Sequence, residues 1–190
     1  FTSYLVDHWV PNWAQGYNLP FYYSHIPQIL IVASYRFLQI FNFQFSIFNY
    51  YHIVIYLLMS MFPLSVFLAL RVIKLPWLAA GIGALLASQI STDGLYGLDP
   101  PSFLFRGWGL SSQLFAMIWL PLAIAFAYKY FANSDGFLPA VFFLTATTMG
   151  HLGIGFIALL SLIPLVLARP LNKLKETVPK LIFLGGTTIF

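Results

Sequence analysis

The chain has 190 residues, of which 60% are hydrophobic and 7% charged, with a mean hydropathy of +0.84. Soluble domains keep roughly half of their residues apolar and about a quarter charged, so the composition argues against a water-covered globular fold. The net charge is +4 and there is no cysteine, which excludes disulfides and thiolate metal sites; the basic residues flank apolar runs, so no nucleic-acid partner is expected.

No charged residue lies between Arg36 and Arg71, Lys74 and Asp93, Arg106 and Lys129, or Asp135 and Arg169. A helix crossing the hydrocarbon core of a bilayer needs about 20 mainly apolar residues, and these runs supply that length repeatedly. The expected fold class is all-α, a polytopic transmembrane helix bundle. About five full spans are expected, with one interfacial or re-entrant helix and the start of a further span.

In chain order, residues 1–26 are rich in Trp, Tyr, Pro, Asn and His, which suits a segment outside the hydrocarbon. Pro27–Asn42 is apolar but carries Arg36, and its reach of roughly 24 Å falls short of the ~30 Å core. It reads as interfacial or re-entrant, so that residues 1–45 form an external segment; a tilted span is the alternative. Five spans are then expected within 46–168: Ser46–Leu70 with a bend at Pro63, Leu75–Ile90, Gln113–Phe131, and a hairpin of Gly136–Met149 and Leu152–Ala168. Small residues at Ala79, Ala80, Gly81 and Gly83 allow close helix approach. Residues 91–112 form a polar loop, Arg169–Lys180 a basic cytoplasmic linker, and a last helix starts at Leu181. Phe1 and Phe190 read as cut ends of something longer, within which the 190 residues make one transmembrane domain.

Cytoplasmic loops carry an excess of Lys and Arg. Placing Arg71, Lys74, Lys129, Arg169, Lys173, Lys175 and Lys180 on the cytoplasmic side accounts for seven of the nine basic residues and leaves Arg36 and Arg106 outside. Residues 1–26, the 91–112 loop and the turn at His151 then share the external face. The expected location is a prokaryotic cytoplasmic (inner) membrane, with the candidate site on its external face.

That face gathers Asp7, His8, His25, Asp93, Asp99, Arg106 and His151. Carboxylates and a histidine in a water-filled cleft suit acid–base chemistry or a divalent metal; Arg106 suits a phosphate, which its planar fork binds bidentately. Each has a plainer reading. His151 caps a helix hairpin, Arg106 anchors at the interface beside Trp108, and Asp99 before Pro100 is a turn residue. No two histidines have helical metal-ligand spacing.

Three patches carry a family resemblance. They are Trp9, Pro11, Trp13, Gly16, Tyr17, Leu19, Pro20 and Phe21; then Pro101 through Arg106 to Gly107, Trp108 and Gly109; then Thr148, Gly150, His151, Gly153 and Gly155. In order and spacing the chain resembles the 6-pyruvoyl-tetrahydropterin synthase-related membrane proteins, which belong with the GT-C superfamily of polytopic glycosyltransferases. It departs from them at Asn18, at Ser24-His25-Ile26-Pro27, and at Met149 and Gly150 between the threonine and the histidine.

The resemblance implies transfer of a sugar from a polyprenyl-phosphate donor at the external membrane face, with membrane lipid as the surroundings. It implies Asp7, or an aspartate upstream of Phe1, as catalytic base and His151 on the phosphate or the acceptor. Arg106 would bind the donor phosphate, Trp9, Trp13 and Tyr17 would shape the acceptor side, and Asp99 would lie in the substrate loop. The rival expectation is a non-catalytic subunit packed among other membrane subunits, with His52 or His151 ligating haem or chlorophyll.

Overall fold

The structure, a computed structural model, describes residues 9–10, 17–18, 26–87 and 111–189. Among these the chain is helical, with seven helices and one short antiparallel pairing of β1 (Trp9–Val10) with β2 (Tyr17–Asn18). The helices are α1 (Ile26–Gln39), α2 (Ile47–Val72), α3 (Trp77–Ala87), α4 (Ser111–Asn133), α5 (Phe137–Gly150), α6 (Leu152–Leu167) and α7 (Leu171–Ile189).

Local chemistry sets their limits. Ser46 caps α2, its side chain accepting from the N–H of Asn49 at 3.2 Å. The far end closes by a paired C-terminal motif, in which Leu75 N–H donates to Leu70 O and Lys74 N–H to Arg71 O. That motif puts Lys74 at φ 69°, a left-handed position. Pro76 follows, and its carbonyl accepts the first bond of α3 from Ala80; α3 therefore starts at Trp77 rather than at Leu75. Gly136, at φ 87°, turns the chain from α4 into α5. The hairpin of α5 and α6 falls close to the limits expected from Gly136 and from Gly150-His151.

The last helix begins at Leu171, not Leu181, so the basic stretch expected to link two spans is itself helical. Leu174, Thr177, Leu181, Leu184 and Thr188 return every three or four residues and face the bundle. This 3.6-residue period forms one amphipathic helix across the charged stretch.

α4 is the hub, packed on α2, α5 and α6. It runs parallel to α2: Met59 meets Leu114, the Ser65 hydroxyl donates to Ile118 O, and Ala69 meets Leu122 and Ala125. α5 returns antiparallel, with Phe143 stacked on Trp119 and Phe126 and with Gly150 against Ala116. The main core is built from Ala123, Ala127, Ala140, Ala158, Leu144 and Leu162, all fully buried. Alanines at the crossings let the backbones approach closely, and dispersion over those close surfaces holds the helices together.

The outside is as apolar as the inside. Tyr56, Leu57 and Leu64 of α2, Leu138 and Phe142 of α5, Phe156 and Ile157 of α6, and Ile182 of α7 all have more than half of their surface open. Two helices, α2 and α4, are long and apolar enough to cross a membrane; α3, α5 and α6 are apolar but shorter.

Candidate functional site

The helix directions separate two ends. At one, the carboxyl ends of α2, α4 and α6 meet the amino ends of α5 and α7. Lys129 pairs with Asp135 at 2.6 Å, Arg169 donates to Tyr128 O at 3.3 Å, and Lys180 donates to the Ser134 hydroxyl at 2.6 Å. Ile73 packs near Phe126, which brings Arg71 and Lys74 to the same end. The amino end of α4 and the Gly150–His151 turn lie at the opposite end, where Gly150 sits against Phe115 and Ala116.

Of the residues expected to carry the transfer chemistry, His151 is the one whose side chain is described. Its backbone is extended (φ −156°), it ends α5 by donating to Thr147 O at 3.0 Å, and its Nδ1 caps α6 by accepting from Ile154 N–H at 3.3 Å. A histidine here satisfies a donor that the first turn of α6 would otherwise leave unpaired. The neighbouring threonines are also turned inward: Thr147 donates to Phe143 O at 2.7 Å and Thr148 to Leu144 O at 2.9 Å. The Nε2 edge of the half-buried His151 has no partner among the described residues.

Trp9 and Tyr17 flank the two-residue pairing, Trp9 opposite Asn18 and Val10 opposite Tyr17. Asp7, Trp13, Asp99 and Arg106, with His8, His25 and Asp93, lie outside the described residues. His52 is exposed and sits edge-on to Phe48 at 4.4 Å. No group of three or more His, Asp or Glu with metal-holding geometry occurs among the described residues.

Two concavities went unforeseen. The first is an apolar groove of about 410 Å³ between α2 and α4, walled by Phe62, Val66, Ile73, Leu120, Ile124 and Tyr128 and closed by Leu165 of α6. Ala69 and Ala125, small residues on facing helices, meet at its floor and leave space between the larger side chains around them. The second is a polar cavity of about 300 Å³ where α4 ends and α7 begins, lined by Asn133, Ser134, Arg169, Lys173, Glu176 and Lys180. Its signal was Lys173, Glu176, Thr177 and Lys180, which share one helix face by spacing. Arg169 joins the two: it lines the cavity while its guanidinium lies 4.8 Å from the ring centroid of Tyr128, which walls the groove.

Compared with models of known protein families, with curated proteins and with solved structures, the chain matches none significantly.

Proposed function

We propose that the chain is a polytopic integral membrane protein that transfers a sugar from a polyprenyl-phosphate donor at the membrane face where His151 lies. The observation that supports the membrane part of this reading is the polarity of the bundle. Seven cations are borne on one end, and His151 and the amino end of α4 sit at the other. Arg106 precedes Ser111, the first residue of α4, by five positions in the chain. The apolar outer surface supports membrane embedding, because exposed hydrocarbon on most helices is unfavourable in water and neutral in lipid. The shorter α3, α5 and α6 then belong in the bundle as spans completed by adjoining residues or by local thinning of the bilayer.

In this reading the polyprenyl tail lies along the helices and Arg106 holds the donor phosphate. A carboxylate, Asp7 or one upstream of it, deprotonates the acceptor hydroxyl as the sugar–phosphate bond breaks. The glycosyltransferase assignment rests on the three sequence patches; no other finding bears on it.

The absence of native cysteine gives a direct test of the membrane topology. Single cysteines replacing Lys175 and Leu152 should be labelled by an impermeant maleimide from opposite sides of inverted and right-side-out vesicles. Labelling from one side only would end the polytopic reading. For the chemistry, Arg106→Ala should abolish sugar transfer from a polyprenyl-phosphate donor with the thermal transition unchanged; undiminished turnover would remove Arg106 from the mechanism.

A second reading has its own observation. Nδ1 and the backbone N–H of His151 are both spent on holding the α5–α6 turn, as expected of a non-catalytic subunit in a larger membrane assembly.

A further inference from the structure

We propose that the basic end of the bundle holds an anionic glycerophospholipid, one acyl chain in the α2–α4 groove and its phosphate at the Arg169–Lys173–Lys180 cavity. This site is distinct from the His151 end and stands whether or not the chain transfers a sugar.

The groove wall is almost wholly carbon, from Phe62 and Val66 near mid-bundle to Ile73 and Tyr128 at the basic end. Such a trough is filled by a hydrocarbon chain. What selects the chain's owner is the chemistry at its mouth. Leu165 lines the groove in the last turn of α6, and Arg169, two residues beyond the end of that helix, lines the cavity. Arg169 is held there by Tyr128, through the bond to its carbonyl and by its position over the ring.

The adjoining cavity carries Arg169, Lys173 and Lys180 against the single acid Glu176. Lys180 gives one of its three N–H donors to Ser134 and faces the Tyr130 ring at 5.8 Å; Lys173 has no side-chain partner among the described residues. The donors left over are those a phosphodiester accepts from, and the amide of Asn133 adds a neutral one. Hydrocarbon trough, aromatic rim and cationic cavity therefore follow one another in the order of acyl chain, glycerol and phosphate. Basic pockets between helix ends at the positive face are where anionic headgroups are attracted. A free phosphate would use the cavity and leave the groove unused.

The purified full chain in nanodiscs of equimolar phosphatidylglycerol and phosphatidylcholine tests the site, by native mass spectrometry of the lipid that stays bound after release. Phosphatidylglycerol should be retained over phosphatidylcholine, about fivefold less so in Lys173→Gln and more so in Glu176→Gln. Lys175→Gln removes the same charge from the same helix outside the cavity and should change retention little. Lys173 and Glu176 are exposed, so both variants should fold, as checked by an unchanged thermal transition. Equal retention of the two lipids would overturn the proposal. So would equal losses in Lys173→Gln and Lys175→Gln, or displacement of the lipid by millimolar inorganic phosphate.

Discussion

Gly155 of α6 lies so close to Thr148 of α5 that a Cβ on the glycine would run into the threonine's Cα, Cβ and Oγ1. All three belong to α5, which is itself packed on α4, so they have little room to yield. Gly155→Ala should lower stability by about 1–3 kcal/mol, the usual cost of overpacking a close crossing. Gly81 of α3, which has nothing within 4 Å of its would-be Cβ, is the internal control. There, the gain in helix propensity should leave Gly81→Ala neutral or up to about 1 kcal/mol more stable. Thermal unfolding of both variants in detergent is the measurement; equal behaviour would mean that the α5–α6 crossing is looser than described.

Ser65 ties α2 to α4 through its bond to the carbonyl of Ile118, and it is buried. Ser65→Ala should destabilise by about 0.6–1.5 kcal/mol, the range for interhelical hydrogen bonds in apolar surroundings. The loss should be confined to the α2–α4 contact. Hydrogen exchange is expected to rise at Met59–Ala69 and stay unchanged in the α5–α6 hairpin; uniform loosening would assign Ser65 a different role.

The helical class and most helix limits were legible because they depend on local signals, the charge-free runs and the turns at Gly136 and at Gly150-His151; Pro76, which sets the start of α3 at Trp77, was passed over. The start of α7 was misjudged because the five charged residues from Arg169 to Lys180, both included, look like a solvent loop when counted, although Leu174, Thr177 and Leu181 keep a helical period through them. The site was legible only in part. The place of His151 in a hairpin turn was readable from Gly150 before it and Gly153 after it. The groove and the basic cavity were not, since both depend on which helices become neighbours. The parallel packing of α2 on α4, with α3 between them in sequence, leaves no mark at any single position.

Asp135, exposed in the α4–α5 turn, has its carboxyl held below the usual aspartate value, chiefly by the hydrogen bond from Lys129 and then by the lysine's charge, with Gly136 N–H adding to it. A carboxyl lowered in the folded state stabilises above its unfolded value, about 3.9, and loses that contribution as pH falls through the lowered value. Acidification from pH 7 to 5 should therefore leave this turn unaffected, with loosening only in stronger acid. The effect should shrink in high salt, which screens an exposed pair. Carboxyl carbon NMR is the check: Lys129→Gln should return the Asp135 midpoint upward to the ordinary value, and an unmoved midpoint would show that the pair does not persist in solution.

His151 offers the sharpest division between architecture and chemistry, because one ring nitrogen is committed to the cap and the other is not. His151→Ala removes the acceptor for Ile154 N–H and should cost about 0.5–2 kcal/mol, as loss of a helix cap does. His151→Asn keeps a side-chain oxygen within reach of the same N–H and should recover most of that stability. The asparagine does not reproduce the Nε2 edge, so the two variants separate the roles. If His151 also serves the transferred group, His151→Asn will be stable and will lose sugar transfer by about 10²-fold or more, as expected when a positioned acid–base group is removed. If the histidine only holds the turn, turnover in each variant will track its stability, and His151→Asn will match the parent chain in both.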